Sequence, residues 1–257
     1  ALEAGKHVFI TKPITNNSAE ARELVELADR KDLAYMVGHH ARHATLAHYT
    51  EELLEGGELG RVCNAVVTCA SSAGLEQETG DWRVEPGKNP GGPMLQCGIH
   101  SIDKLLGFFG RIKDVTAIMQ EDVTPFDVVD NALTLLNFEC GVQVTFMCNY
   151  TTAYMHTESY FGTRANLHVH EHITGLGQQQ MYLQPRARGE HEPWKALRIP
   201  TVGDYPDSHG GVLEKDFARQ IRTGETDYDN ARDSTMALEV IEAAVESNST
   251  QRPVSVS

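Results

Sequence analysis

Residues 91–103 read GGPMLQCGIHSID, and this run predicts the start of a helix with a polar face. On a helix, His100 lies four residues after Gln96 and three before Asp103, so the three side chains share one face. Pro93 suits a first helical turn, and the glycine pair before it lets the backbone approach a bound molecule closely. The same pattern is also typical of an ordinary amphipathic helix with a satisfied histidine, so a second motif is needed to decide.

That second motif lies near the beginning of the chain. Residues 1–4 are typical of a helix end, Gly5 of a helix stop, and residues 7–10 of a short buried strand. Lys12 and Pro13 follow at the carboxyl end of that strand, which is the edge where open α/β sheets bind ligands. A lysine fixed there by a proline is a candidate site residue, although many Lys-Pro pairs are only surface turns.

Together, the two motifs resemble the Gfo/Idh/MocA family of NAD(P)-dependent dehydrogenases, which act on sugars, inositols and related polyols. Six segments occur in the family's order: AGKHV through TKP at 4–13, VGHHAR at 37–42, GELGRV at 57–62, WR at 82–83 ahead of the glycine pair, FGT at 161–163, and DFA at 216–218 through Ser247. Each segment is weak alone, but six in order form a specific signal.

The resemblance implies hydride transfer between a nicotinamide ring and a CH–OH carbon of a sugar or polyol. His100 is expected to take the hydroxyl proton, Lys12 to stabilise the developing negative charge, and Gln96 to orient the substrate. The expected cofactor, NAD or NADP, is contacted by Thr11, Lys12, Pro13, His39, Trp82 and Arg83. The expected substrate contacts are Arg42, Gln96, Asp103, Tyr154 and His156.

The chain departs from the family pattern at two positions. The usual Glu-Lys-Pro is Thr11-Lys12-Pro13, and Gln96 replaces the usual aspartate four residues before the histidine. An amide can hydrogen-bond a hydroxyl but cannot take its proton, so acid–base work must fall on His100. Two alternatives stay open: a non-catalytic sugar-binding or assembly module, and a lyase or hydrolase that oxidises a sugar carbon transiently.

The resemblance also implies the fold class. Residues 1–41 are expected to be the C-terminal part of a dinucleotide-binding Rossmann domain, and residues 42–257 an α+β domain with a large, mostly antiparallel, open-faced sheet. The sequence contains no Gly-x-Gly-x-x-Gly run, so we expect most of the Rossmann domain, on the order of 80 residues, to precede Ala1.

Periodicity and turn residues predict the individual elements. Helices are predicted at 18–31, 44–56 and 212–223, and a long loop at 72–90. Strands are predicted at 34–37, 61–70, 113–121, 130–138, 141–150, 157–161 and 165–171.

Composition restricts the partners. A formal net charge of −14 opposes nucleic-acid binding, whereas a neutral sugar or polyol is not repelled. The sequence has no apolar run near the roughly 20 residues needed to span a bilayer, so no membrane association is predicted. The five cysteines include no Cys-x-x-Cys pair, which favours a reducing, cytoplasmic location. The resemblance implies a homo-oligomer formed through the sheet face.

Two groups of histidines could suggest a metal site. They are His39, His40, His43 and His48 in one group, and His168, His170 and His172 in the other. Neither group is followed by a ligand set that completes a zinc signature, so no metal is predicted.

Overall fold

A computed structural model describes residues 1–173, 179–186, 193–201, 204 and 211–256, with the backbone alone for 172 and 173. The described residues form a two-stranded parallel sheet at the amino end and a nine-stranded sheet after it. The expected fold class is confirmed: a piece of a Rossmann fold is followed by a domain with a large, mostly antiparallel sheet.

The amino-terminal part is a β–α–β unit. It comprises β1 (Val8–Thr11), α1 (Ser18–Arg30) and β2 (Tyr35–Gly38). The side chain of Asn17 caps α1 by accepting a hydrogen bond from the backbone N–H of Glu20 at 2.9 Å. In the register of the two strands, Thr11 lies opposite Gly38, so both carboxyl ends open on the same edge.

In the described part of the chain, the large sheet holds nine strands in the order β10-β9-β8-β7-β3-β6-β5-β4-β11, and of these pairs β3 and β6 alone are parallel. The strands are β3 Val62–Ala70, β4 Ile112–Gln120, β5 Asn131–Phe138, β6 Gln143–Asn149, β7 Met155–Gly162, β8 Ala165–Ile173, β9 Gln180–Pro185, β10 Lys195–Ala196 and β11 Val254–Ser255. The six strands predicted between 61 and 171 are confirmed with small shifts at their ends. The last three strands were not predicted.

Four more helices follow: α2 (Thr45–Glu55), α3 (Ile99–Phe109), α4 (Val212–Thr223) and α5 (Asp229–Thr250). Helices α3 and α5 pack on one face of the large sheet, whereas α2 packs against α3 and α4 against β2. The helix α5 packs against α1, α3 and β4, so it joins the two parts of the protein. None of the described helices is both long and apolar enough to cross a bilayer.

The other face of the sheet carries exposed apolar side chains. Ile118, Leu133 and Leu135 are each more than half exposed, and Val66 is 43% exposed. Alternate residues of the same strands, such as Ala132 and Leu136, are buried under the helices, as the two-residue period of a strand requires.

A valine at Gly98 should destabilise the protein. A Cβ at Gly98 would lie 2.9 Å from the Sγ of Cys148 and 3.1 Å from the ring of Phe146, so the helix could not keep its distance from the sheet. We expect Gly98→Val to lower the free energy of unfolding by about 1–3 kcal/mol in urea titrations. Gly87→Val is the matched control, because no atom lies within 4 Å of a Cβ there. Equal stability of the two variants would contradict this account.

Candidate active site

The helix that carries His100 begins with a π-helical turn, Met94–Gly98, which continues directly into α3. Just before it, Gly92 has φ +53°, and a Cβ there would lie 1.9 Å from the backbone oxygen of Val129. Only glycine fits this contact. Because π-helical turns are rare and concentrate at functional sites, this helix start is the first place to look for chemistry.

The two sequence motifs meet at this helix start. Lys12 follows β1, ahead of a cis peptide bond to Pro13, and its ammonium donates a hydrogen bond to the backbone oxygen of Gln96. Burial lowers the pKa of Lys12 below its usual 10.5. The side-chain nitrogen of Gln96 is buried and has no hydrogen-bond partner among the described residues. It is therefore available as a donor to a ligand.

His100 is a neutral imidazole at pH 7. Burial lowers its pKa to about 4, and the nearby ammonium of Lys12 acts in the same direction. Its Nδ1 is buried and lacks a hydrogen-bond partner in the described part of the chain. A neutral imidazole accepts a proton at one nitrogen and donates from the other, so His100 can act as a base.

A buried group of polar side chains lies behind His100. The ring of His39 meets that of His100 nearly edge to face, with centroids 5.8 Å apart, and its Nδ1 is 3.9 Å from Oδ2 of Asp103. The side chain of Arg42 lies 3.2 Å from the same Oδ2 and 2.6 Å from the carboxylate of Asp233. Burial lowers the pKa of His39 to about 3 and raises that of Asp103 to about 7.

Two stacked pairs of side chains, each with an aromatic ring, lie on the outer side of the site. The guanidinium of Arg83 stacks on Trp82 at 4.6 Å, and its positive charge helps to lower the pKa of Lys12. Tyr154 stacks on His156 at 5.0 Å, and Nε2 of His156 lies 3.2 Å from the Sγ of Cys69. Trp82 and Tyr154 are each about two-fifths exposed, so both can reach a ligand.

A buried ion cluster was not found by sequence reasoning. The ammonium of Lys104 lies 2.5 Å from the carboxylate of Glu158 and also contacts that of Glu171, and Tyr160 donates to Glu158 at 2.6 Å. Although burial alone lowers the pKa of Lys104, the two carboxylates raise it above its usual value. The spacing of Lys104, four residues after His100, signals a shared helix face, but it does not identify partners on distant strands.

The structure brings together the three predicted catalytic residues and several of the predicted contacts. At the site are Lys12, Gln96, His100, Arg83, Trp82, Tyr154 and His156. Thr11 and Pro13 flank Lys12 at the end of β1. The side chains of His39 and Asp103 have no exposed surface, and Arg42 is occupied by two carboxylates. For these three residues, direct contact with the cofactor or substrate stays a prediction. The burial of His39 and Asp103 and the ion pairs of Arg42 do not favour it.

The described histidines of the two groups contact other side chains. His40 Nε2 lies 3.0 Å from Glu214, and the rings of His43 and His48 are 6.1 Å apart. His168 stacks on Trp194 at 4.3 Å, while the side chain of His172 lies outside the described residues. Within the described ranges, no three histidine, cysteine or acidic side chains are arranged to hold a metal ion.

Comparison with known sequences gives the family. Residues 1–39 match the family described as "Oxidoreductase family, NAD-binding Rossmann fold", and residues 48–170 match "GFO/IDH/MocA C-terminal domain". The two matches describe the first and the second domain of the proteins of one enzyme family. Together they cover more than half of the chain. The chain belongs to the GFO/IDH/MocA oxidoreductase family. The family resemblance and the cofactor class, NAD or NADP, are thereby confirmed.

Several members of the GFO/IDH/MocA family are similar along most of the chain. An uncharacterized oxidoreductase of Schizosaccharomyces pombe is 27% identical, over 96% of this chain and 74% of its own length. The dTDP-3,4-didehydro-2,6-dideoxy-alpha-D-glucose 3-reductase of Streptomyces antibioticus is 28% identical, over 87% of this chain and 65% of its own. The chain thus spans between about two-thirds and three-quarters of these two relatives.

Solved structures of the family have the same fold. A putative NADPH-dependent oxidoreductase from Desulfitobacterium hafniense superposes with a TM-score of 0.87 at 25% identity, over 99% of this chain and 74% of that one. Levoglucosan dehydrogenase, in its complex with NADH and levoglucosan, superposes with a TM-score of 0.84 at 17% identity, over 99% and 75%. The first name specifies NADPH and the second complex contains NADH, so the choice of nucleotide varies within the fold.

The buried His39 should make stability depend on pH. Its folded pKa is about 3 against an ordinary 6.5, so unfolding takes up a proton between these values and acid favours the unfolded chain. Relative to His39→Phe, the wild type should lose about 1.4 kcal/mol of unfolding free energy for each pH unit between 6 and 4. Urea titrations of both proteins at several pH values measure this difference. A difference that stays constant from pH 7 to 4 would contradict the assignment.

Proposed function

We propose that this protein transfers a hydride between a nicotinamide cofactor and the CH–OH carbon of a sugar, inositol or related polyol. One observation carries the proposal: Lys12 and Gln96, which lie 84 residues apart in sequence, are joined by a hydrogen bond beside His100. A half-buried amine, an amide donor and a neutral imidazole at one point form a set suited to removing a proton from an alcohol.

His100 is the proposed base. Its imidazole is neutral at pH 7, so it accepts the hydroxyl proton of the alcohol as the hydride leaves the same carbon. With Nδ1 buried, Nε2 is the nitrogen that we assign to face the substrate. In the reverse direction, the protonated imidazole returns the proton to the carbonyl oxygen.

Lys12 and Gln96 hold the reacting oxygen. The ammonium of Lys12 donates a hydrogen bond to that oxygen and stabilises the negative charge that develops on it. The side-chain N–H groups of Gln96, whose nitrogen has no hydrogen-bond partner among the described residues, donate to a neighbouring hydroxyl oxygen of the substrate. A polyol offers adjacent hydroxyls, which is why this donor set suits a sugar better than an isolated alcohol.

The residues present fit the nicotinamide end of the cofactor. The carboxyl ends of β1 and β2 open on the same edge, and Lys12 lies there next to the start of α3. When bound, the nicotinamide ring supplies the hydride acceptor or donor. Trp82 and Arg83, on the outer side of the site, shield the reacting carbon from water, and Tyr154 with His156 forms the opposite wall for the sugar.

Activity of the full-length protein tests this function. Purified protein is screened with NAD and NADP against sugars and inositols by absorbance at 340 nm, and products are analysed to separate simple oxidation from bond cleavage. We expect His100→Asn to lower kcat by about 10²–10⁴-fold, because it removes the base. Lys12→Met should cause a loss of similar order by removing the positive charge. Lys6→Met, at an exposed lysine, is the control.

If His100→Asn keeps turnover within a few-fold of the wild type, the assigned mechanism is wrong. If no nucleotide binds the full-length protein, the non-catalytic binding module replaces the dehydrogenase as the better proposal.

We also propose that the exposed sheet face joins two copies of the chain. The exposed Ile118, Leu133 and Leu135 form an apolar surface on neighbouring strands, and such surfaces mark interaction sites. Burying them against the same face of a second copy removes this surface from water.

A charge on this face should dissociate the oligomer. We expect Leu133→Glu combined with Leu135→Glu to give monomers in sedimentation velocity experiments at concentrations where the wild type is associated, because each buried carboxylate would be unpaired. Leu75→Glu, at an exposed leucine outside the sheet, is the control. A monomeric wild type would refute the proposed interface.

The cytoplasmic location stays a prediction. All five cysteines are free, which agrees with a reducing compartment.

A further inference from the structure

Three side chains at the site have buried polar atoms without hydrogen-bond partners among the described residues. These atoms are Nδ1 and Nε2 of His39, Nδ1 of His100, and both carboxylate oxygens of Asp103, of which Oδ2 forms an ion pair with Nε of Arg42 at 3.2 Å. Buried polar atoms are normally paired, because leaving them unpaired costs stability. Five such atoms lie at one place, and apart from the ion pair between Asp103 and Arg42, hydrogen bonds among these three residues would satisfy them.

The geometry places His39 between the other two. Its ring meets that of His100 at an interplanar angle of 77°, with centroids 5.8 Å apart. Its Nδ1 lies 3.9 Å from Oδ2 of Asp103, which is beyond a direct hydrogen bond. A small rotation of the imidazole or one bridging water closes such a gap.

We propose that Asp103 and His39 position His100 in the tautomer that its reaction requires. The carboxylate of Asp103 accepts a hydrogen bond from Nδ1–H of His39, and Nε2 of His39 accepts one from Nδ1–H of His100. Nε2 of His100 then carries no proton and is free to take the one from the substrate hydroxyl. This inference rests on the proposed function, and the chain of hydrogen bonds uses four of these five atoms.

Besides fixing the tautomer, the carboxylate of Asp103 contributes a negative charge to a group of mostly basic side chains. The groups that face His39 besides Asp103 are His100, Arg42, Lys12 and His40. Those that face Asp103 are His39, Arg42 and Asp233. The charged groups that act directly on His100 are Lys12, His156, His40 and Lys104, all of them bases, so Asp103 is the carboxylate that the hydrogen bonds through His39 connect to an imidazolium at His100. Because burial raises the pKa of Asp103 to about 7, its carboxylate form, and with it the full chain, is reached as the pH rises through that value.

Steady-state kinetics test the positioning role. We expect Asp103→Asn and His39→Phe each to lower kcat by about 10- to 100-fold, with KM within about twofold because neither residue touches the substrate. Wild-type kcat for alcohol oxidation should rise with a midpoint near pH 7, and Asp103→Asn should lose that rise. His43→Phe changes a half-buried histidine that is not part of this hydrogen-bond chain, and it should leave kcat and the pH midpoint unchanged. A rise that survives in Asp103→Asn would overturn the proposal.

Nuclear magnetic resonance of ¹⁵N-histidine-labelled protein tests the proposed chain of hydrogen bonds without substrate or cofactor. In the wild type, Nδ1 of His100 should be protonated, and the His100 signals should shift with the ionisation of Asp103 near pH 7. That step should vanish in Asp103→Asn and in His39→Phe. Persistence of the step in His39→Phe, or an unprotonated Nδ1, would overturn the inference.

The two failures are distinguishable. If the linked titration is present but no sugar is oxidised with either nucleotide, the proposed function fails and the hydrogen-bond chain stands. If the wild type oxidises sugars but the histidines titrate independently, the positioning role fails and the proposed function stands.

Discussion

The buried ammonium of Lys104 fixes the relation between the helix and the sheet. It lies between the carboxylates of Glu158 on β7 and Glu171 on β8, and only 4% of its side chain is exposed. A charge in the interior has to be paired, and removing one partner of such a pair costs about 3–5 kcal/mol. The helix α3 therefore cannot slide or rotate on the sheet without leaving charges unpaired. His100 lies one turn before Lys104 on the same helix, so this ion cluster also fixes where the base is located.

Helices and strands with one buried and one exposed face could be predicted from the sequence, because their apolar residues recur at a regular spacing. The helix α1 shows clear spacing of apolar residues and an Asn17 cap, and strands such as β5 alternate between buried and more exposed positions. The helix α5 was not predicted, because it packs against several neighbours and ten of its residues are buried, which weakens the periodic signal. The strands β10 and β11 have two residues each, too few for any period to appear.

The candidate site was predictable only in part, for a similar reason. Local spacing could place Gln96, His100 and Asp103 on one helix face, and the end of β1 could place Lys12 at a binding edge. What lies opposite those side chains depends on contacts across the whole chain: Arg42, for which substrate contact stays a prediction, pairs with Asp233, 191 residues away. No pattern along the sequence indicates such a pair, because the pairing is produced by the packing of α5.

The electrostatics of the site show why a buried carboxylate is useful there. Burial lowers the pKa of Lys12, His39 and His100 together, so the site opposes positive charge on its own bases. That opposition keeps His100 neutral and ready to accept a proton, but it also makes the protonated imidazole costly once formed. A carboxylate behind the imidazole offsets that cost during the reaction without exposing a negative charge to the anionic oxygen of the substrate. Asp103, fully buried and one helical turn from His100, has that position.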